Sequence, residues 1–285
     1  MELHRLSEHI YTLPPDDATD RPVLGAVVGQ RATLVVEAGN SPAHARLLLT
    51  GLARLGIRPP SYVVLTHWHW DHVFGASAFE APVFAHRETK RKVEEQAGLE
   101  WSDAALDQRV TEGTEIAFCR DMFKAEWPDR TELQIRPPDV AFDSRLEFDL
   151  GGVSCRVQHV GGDHSADSSV VFVPEDGVLF LGDCLSEDLY HNPPDYTVQK
   201  LFPLLDALLI FDAGRYVLAH DLAPLPRAEM AALAERLKFI GRTVERLGDQ
   251  RERIVQQLEA AAGGAPDEES LAMVDAFLAG LRRAA

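Results

Sequence analysis

The stretch that decides the fold is YVVLTHWHWDH, residues 62–72. Its first four residues, Tyr62 to Leu65, are apolar and partly β-branched, which is typical of a short buried strand. The ligand-type residues that follow are His67, His69, Asp71 and His72. Residues two apart in an extended segment point the same way, so we expect His67 and His69 to bind one ion together. Asp71 and His72 lie further along the loop, where we expect them to bind a second ion.

Three more ligand-type residues stand where other apolar segments end, namely His164, Asp183 and His220. The first follows two glycines, which allow the backbone to turn sharply. The other two directly follow the apolar runs 178–182 and 216–219. A polar side chain where a strand meets a loop lies at the rim of the core, where α/β sheets usually bind ligands. We therefore expect these three residues to complete a two-metal centre.

Strand-like segments lie on both sides of a mainly helical region at about 88–136. Before it, short β-rich runs are divided by turns, and residues 41–55 predict a helix. After it, the β signal returns between residues 140 and 181. Strands before and after a helical insertion, with helices flanking both halves, favour an α/β fold in which helices cover two sheets.

The C-terminal part is predicted to be helical from about Pro226. Its apolar residues step by three and four positions, as in Met230, Leu233, Leu237 and Ile240. Such a stripe indicates a helix packed on the parent domain, and a homodimer seam is the alternative. We expect a main domain over residues 1–224 and a helical extension over 225–285.

Composition excludes several classes of protein. The 285 residues include 28 Lys+Arg and 45 Asp+Glu, a net charge of −17, and 46% are hydrophobic. This acidity disfavours nucleic-acid and membrane-surface binding, which need a basic footprint. No apolar run is long enough to span a bilayer, and no secretory leader is evident. Three widely spaced cysteines suit a reducing compartment, so we expect a cytoplasmic protein.

The ligand motifs resemble those of the metallo-β-lactamase fold hydrolases, and among them the glyoxalase II-like type, whose ligands are all His or Asp. The resemblance spans roughly residues 5–224 and is carried by residues 66–72, 162–165, 181–183 and 219–221. It implies an αββα four-layer sandwich with a C-terminal helical extension. By the same resemblance, His67, His69 and His164 hold one zinc ion, Asp71, His72 and His220 hold a second, and Asp183 bridges both.

Two departures from the family pattern concern residues next to the ligands. The third histidine often stands in a Gly-His-Thr run, whereas here it stands in Asp163-His164-Ser165; the last histidine often follows Gly and here follows Ala219. Neither departure removes a ligand. Cys184 is predicted to be a core residue, because it lies one position beyond Asp183 and would face away from the metals.

Imidazole and carboxylate ligands without a thiolate favour two zinc ions, and they also accept iron or manganese. A water between two divalent ions loses a proton near neutral pH, so a bridging hydroxide is the expected nucleophile. Asp71 is the predicted catalytic residue that orients it. The expected reaction is hydrolysis of an ester-like bond (thioester, ester, lactone or phosphodiester) in a small molecule.

Two other functions are compatible with these residues. One is a mononuclear iron enzyme that resembles the sulfur dioxygenases on the same fold. The other is a metal-binding protein without catalysis. Candidate substrate contacts lie in the Pro-rich loop after Asp183, where a pocket border is plausible for a loop next to a ligand: they are Tyr190, His191 and Tyr196.

Overall fold

The computed structural model describes residues 2–284, in which two β-sheets lie face to face. Strands β1 to β4 pair antiparallel, and β4 to β7 pair parallel. The strands of sheet 1, which follow one another in chain order, are β1 (His4–Arg5), β2 (Ile10–Leu13), β3 (Leu24–Val28), β4 (Thr33–Val36), β5 (Tyr62–Val64), β6 (Val83–His86) and β7 (Val140–Phe142).

Sheet 2 has the order β13-β12-β11-β10-β9-β8 and is antiparallel except for the parallel pair β11 and β12. Two parallel neighbours bring their carboxyl ends to the same edge of the sheet. Its strands are β8 (Arg145–Asp149), β9 (Ser154–His159), β10 (Ser169–Val173), β11 (Val178–Gly182), β12 (Arg215–Leu218) and β13 (Leu225–Pro226).

Helices cover the outer faces of both sheets. Helix α1 begins at Pro42, whose ring suits the first helical position, and Ser41 caps it by accepting a hydrogen bond from the His44 N–H. The helices are α1 (Pro42–Arg54), α2 (Trp70–Val73) with a 3-10 turn over Phe74–Ala78, α3 (Arg87–Ala97), α4 (Asp103–Glu112), α5 (Ala117–Glu126), α6 (Val198–Ile210), α7 (Arg227–Leu247), α8 (Arg251–Ala262) and α9 (Glu268–Ala284).

Successive side chains of each strand point to opposite faces of the sheet and so pack in different layers. In β11, Val178 and Phe180 pack between the two sheets, whereas Leu179 and Leu181 pack under the outer helices. Sheet 1 follows the same rule, with α1 and the inserted helices α3 to α5 on its outer face. The order of layers is therefore helix, sheet, sheet, helix, and the predicted αββα sandwich is confirmed.

The C-terminal helices share a core with sheet 2. Met230, Ala234 and Leu237 of α7 are buried in the same cluster as Leu204 and Leu208 of α6, so the predicted apolar stripe packs within its own chain. The short strand β13 also pairs with β12 across the predicted boundary at residue 224. Among residues 2–284, no helix is long and apolar enough to cross a membrane.

Candidate metal centre

The ligand-type residues converge at one edge of the stacked sheets. His67 follows β5, Asp183 follows β11, His220 follows β12, and His164 lies in the loop between β9 and β10. The two sheets are joined at this edge by a hydrogen bond of 2.8 Å from the Ser169 N–H to the Thr66 carbonyl. Parallel pairing of β11 with β12 places the carboxyl ends of these two strands together, and the hydrogen bond between the sheets brings the end of β5 to the same edge.

Gly182 lets sheet 2 approach this edge closely. Its φ is +55°, in the left-handed region, and a Cβ at this position would overlap Thr66 Oγ1 of the opposite sheet. The register of β11 with β12 also shifts between Phe180 and Gly182. A residue with a side chain would push Asp183 away from the histidines.

His67, His69 and His164 form the first cluster. One ring nitrogen from each lies within 4.8 Å of those of the others, and all three side chains are buried. His164 Nε2 lies 2.9 Å from His69 Nδ1, so Nδ1 is the His69 nitrogen that faces the cluster. The buried Nε2 atom of His67 has no hydrogen-bond partner in the described residues. Because buried polar atoms are normally paired, this nitrogen indicates a ligand that supplies the pairing.

Asp71, His72, Asp183 and His220 form the second cluster, and their donor atoms also lie within 4.8 Å of one another. His72 Nε2 is 2.9 Å from Asp71 Oδ2 and 3.0 Å from Asp183 Oδ2. His220 Nε2 is 3.4 Å from the same Asp71 oxygen. The His220 side chain is 33% exposed, against 0% for His72, so the cluster opens to solvent on the His220 side.

A single oxygen of Asp183 lies between the two clusters. The distances from Asp183 Oδ2 to the surrounding Nε2 atoms are 3.8 Å for His67, 3.7 Å for His164, 3.0 Å for His72 and 3.5 Å for His220. Two of these histidines belong to each cluster. This carboxylate is therefore within reach of both groups of ligands.

Three neighbouring groups lie against Nδ1 atoms of the ligand-type rings, two as hydrogen-bond partners of His164 and His67 and one as a charge partner of His72. His72 Nδ1 lies 3.2 Å from Glu37 Oε1, His164 Nδ1 lies 3.0 Å from the Glu187 carbonyl, and His67 Nδ1 lies 3.1 Å from Thr66 Oγ1. A proton held on Nδ1 leaves Nε2 free to bind a metal, which is how outer partners set the tautomer of ligand histidines.

Glu37 is a functional residue that our sequence reasoning missed. It is buried, accepts a hydrogen bond from the Thr66 hydroxyl, and has a φ of +70°, which is rare for a residue with a side chain. The sequence marks Glu37 in the same way as Asp183, because each is a carboxylate directly after an apolar strand. The strained backbone is held in place by contacts with the ligand loop.

Charge in the second cluster is dominated by carboxylates. Burial lowers the pKa of His72, but Asp71, Asp183 and Glu37 outweigh it and hold that pKa well above the usual value. Burial likewise opposes protonation of His220, yet Asp183 and Asp71 raise its pKa to about 11. Protons on these imidazoles balance the buried negative charge, and a divalent cation would replace them.

The first cluster has the opposite character. Burial lowers the pKa of His67 and of His69 well below the usual value, and neighbouring imidazoles lower it further. Neutral imidazole is the form that binds metals. Neutral nitrogens in one cluster and excess carboxylate in the other fit divalent ions, so the residues present suit the metal centre expected from the sequence.

Two further acidic residues lie near the two clusters, Asp20 beside His220 and Glu115 beside Tyr190. Asp20 Oδ1 lies 3.7 Å from His220 Nδ1, and burial together with the Asp71 charge raises the pKa of Asp20 to about 7. Glu115 contacts the Tyr190 side chain, and burial raises its pKa as well. Neither acid was identified from the sequence, because both belong to segments without a recognisable motif.

The three candidate substrate contacts have different surroundings. The Tyr190 ring lies 5.6 Å from the His69 ring and 5.7 Å from that of Trp68, measured between ring centroids. His191 Nδ1 lies 2.9 Å from Asp195. Tyr196 is buried, packs on Phe277, and donates its hydroxyl to the Leu185 carbonyl at 2.8 Å. Of the three, Tyr190 lies against the first cluster, whereas Tyr196 belongs to the core under the C-terminal helices.

Other polar residues near the ligands hold loops in place through hydrogen bonds. Asp163 accepts hydrogen bonds from the Thr197 N–H and hydroxyl, and Asp167 accepts one from Thr89. Cys184 is buried in the core of sheet 2, as predicted, and belongs to neither cluster.

Comparison with known proteins identifies the family. Residues 19–220 match the model described as the metallo-beta-lactamase superfamily. Among solved structures, a metallo-beta-lactamase from Pontibacter korlensis is 21% identical, with a TM-score of 0.57, over 82% of this chain and 97% of its own. A metallo-beta-lactamase family protein from Thermus thermophilus is also 21% identical, with a TM-score of 0.59, over 97% and 94%.

A larger enzyme shares the fold over almost all of this chain. The stereoselective inverting sec-alkylsulfatase from Pseudomonas sp. is 14% identical with a TM-score of 0.68, and the match covers 99% of this chain and 50% of the sulfatase. The shared fold therefore includes the C-terminal helices. No curated protein matches this chain.

Proposed function

Since this chain belongs to the metallo-beta-lactamase superfamily and is a metal-dependent hydrolase, we propose that it works with two zinc ions on the glyoxalase II-like ligand set. His67, His69 and His164 hold one ion. Asp71, His72 and His220 hold the other, and Asp183 bridges them. The reaction is hydrolysis of an ester-like bond, such as a thioester, ester, lactone or phosphodiester, in a small molecule.

The position of Asp183 Oδ2 carries this proposal. It lies within 3.8 Å of histidine nitrogens from both clusters. A carboxylate oxygen shared in this way is the arrangement of two-metal hydrolytic sites, where the ions lie about 3.5–4 Å apart. A single ion in the second cluster would leave the buried Nε2 atom of His67 unpaired, at a considerable cost in free energy. A single ion in the first cluster would leave the buried carboxylates of the second with only protonated imidazoles to balance them.

When bound, the two ions supply an activated water and polarise the scissile bond. The chain's own residues do the rest. Asp71 Oδ2 lies 3.4 Å from His220 Nε2 at the open side of the second cluster, where the carboxylate would accept a hydrogen bond from an entering water and orient it. Glu37 is the charge partner of His72 Nδ1, and the Glu187 carbonyl would hold a proton on His164 Nδ1 and leave its Nε2 free. Burial of Glu37 and of these histidine rings keeps competing water from their ligand nitrogens.

A metal titration joined to a substrate screen tests the proposal. Metal-free protein is reconstituted with zinc, iron or manganese, and the bound metal is counted by mass analysis. We expect two equivalents of zinc and hydrolysis of at least one substrate in a panel of chromogenic thioesters, esters, lactones, phosphodiesters and secondary alkyl sulfates. Activity that requires iron and consumes oxygen, or one equivalent of metal at saturation, overturns the dinuclear zinc assignment.

A further inference from the structure

The loop between β11 and α6, residues 183–197, forms one whole side of the metal centre. It begins with Asp183, its Glu187 carbonyl orients His164, and its Tyr190 ring packs against His69. The same loop therefore supplies a ligand, a partner of a ligand and part of the pocket wall. Its placement decides the geometry of both clusters.

The loop is closed on itself around Asp195. The Asp188 N–H donates to the Asp195 carbonyl at 3.1 Å, and the Tyr190 N–H donates to Asp188 Oδ1 at 3.0 Å. His191 Nδ1 lies 2.9 Å from Asp195 Oδ2. The Asp195 side chain is 1% exposed, so its charge is taken almost completely out of water.

The charge that balances Asp195 comes from the last helix. Arg283 of α9 donates from Nε and Nη2 to the two carboxylate oxygens, each at 2.8 Å. Two parallel hydrogen bonds fix direction as well as distance. A buried carboxylate that loses its partner is strongly unfavourable, so the loop and the end of α9 are tied together.

Helix α9 also meets the loop through its backbone. The Tyr196 N–H donates to the Ala276 carbonyl at 3.2 Å, and a Cβ at Gly280 would overlap the Tyr196 carbonyl. The helix thus runs directly against the loop, and Arg283 is the charged anchor at the end of this contact.

We propose that Arg283, through its paired hydrogen bonds to the buried Asp195, is a positioning residue that sets loop 183–197 for metal and substrate binding. The role of the C-terminal helices in the site follows from this pair. The proposal rests on the proposed function: its metal part on the zinc centre, and its substrate part on the hydrolysis.

The test compares Arg283→Gln with Arg282→Gln, a matched control on the same turn. Arg282 pairs with Asp249, and both side chains are 57% exposed, so its replacement removes the same charge without touching the loop. In Arg283→Gln we expect the zinc dissociation constant, measured by chelator competition, and the KM of any substrate found to rise by about tenfold. In Arg282→Gln both should stay within twofold of the parent.

A second variant separates positioning from folding. In Arg283→Gln/Asp195→Asn the loop carries no unpaired charge, and we expect zinc affinity to recover partly toward the parent value. The proposal is overturned if Arg283→Gln has the same zinc affinity and KM as Arg282→Gln. It is also overturned if Arg283→Gln only lowers the fraction of folded protein, which would lower kcat and the zinc stoichiometry and leave the zinc dissociation constant and KM unchanged. Failure of the hydrolase assignment would show instead as an inactive parent that binds zinc normally.

Discussion

At the scale of single residues, the centre depends on carboxylates that the fold holds out of water. Asp183 serves both clusters, since one of its oxygens faces histidines of each. Burial raises the pKa of Asp183, but His72 and His220 outweigh it, and the pKa lies well below its usual value. The group is thus held as an anion, which is the form that binds metals.

Replacing Asp183 by Asn should convert a two-metal protein into one that binds a single ion or none. The amide keeps the shape of the side chain and removes the charge that serves both clusters. We expect bound zinc to fall from two equivalents to one or fewer and kcat to fall by about a thousandfold or more, the scale of losing a central catalytic group. Asp212→Asn is the control, because that side chain is fully exposed. Two retained equivalents in Asp183→Asn would contradict the bridging role.

Glu37→Gln tests a partner of the ligands. Glutamine keeps the length of the side chain and a hydrogen bond to Thr66, but it loses the negative charge beside His72 Nδ1. We expect the affinity for the second zinc to fall about 10- to 100-fold, as is typical for loss of an outer partner, with the first zinc little affected. Stepwise zinc titration measures both. An equal loss at both ions would mean that Glu37 supports the loop in general and not His72.

At the scale of elements, the ligand-type residues lie at the ends of strands, and the residues within the strands form the hydrophobic core. This division explains why the sequence indicates candidate ligands, which the structure brings together: an apolar run that stops at His or Asp is visible in a few consecutive residues, as at Asp183 and His220. The contacts that orient these ligands were not predictable in this way. Arg283 and Asp195, or Glu37 and His72, are paired by the packing of distant segments, which periodicity does not encode.

The Pro-rich loop after β11 shows the same limit. Its composition indicates a loop next to the ligands, but not the direction of each side chain. Tyr190 lies against His69, whereas Tyr196 is drawn into the core by its contact with Phe277 of α9. The position of helix α9, which is distant in sequence, places Tyr196 in the core and not in the pocket.

Gly182→Ala tests the close approach of the two sheets at the metal edge. The substitution adds a Cβ that overlaps Thr66 Oγ1 and forces alanine into a left-handed backbone. We expect the free energy of unfolding to fall by about 2–4 kcal/mol, from steric overlap and backbone strain together. Gly214→Ala is the matched control, because its Cβ would meet only ordinary contact at 3.8 Å. Denaturant unfolding of metal-free protein would give equal stabilities for the two variants if the close approach were unimportant.

At the scale of the whole molecule, the ligands come from both sheets. His67 to His72 follow sheet 1, whereas His164, Asp183 and His220 belong to segments of sheet 2. Bound ions would therefore cross-link the two halves of the sandwich in the folded state. The protein has a net charge of −17, and cations in the centre would reduce the part of its charge repulsion that arises among the buried carboxylates.

Metal removal should lower the thermal stability of the folded protein. A ligand present at a thousand times its dissociation constant stabilises the folded state by about 4 kcal/mol, so removal of two zinc ions costs about 8 kcal/mol and should reduce the Tm by roughly 20 °C in a domain of this size. Differential scanning fluorimetry with and without chelator measures the shift, and readdition of zinc should restore it. The Asp183→Asn variant should show a smaller shift, and an equal shift in both proteins would argue against two cooperating ions.

The separation of the ligands along the chain has a consequence for biosynthesis. The motif at residues 67–72 leaves the ribosome well before His220, which emerges only after almost all of sheet 2 has been translated. At ordinary elongation rates this interval is on the order of ten seconds. For much of that time, until Asp183 emerges, the nascent chain displays the first ligand-type residues without the carboxylate that lies between the two clusters. Both clusters are complete only once His220 has been translated, so binding of two ions would have to follow that step.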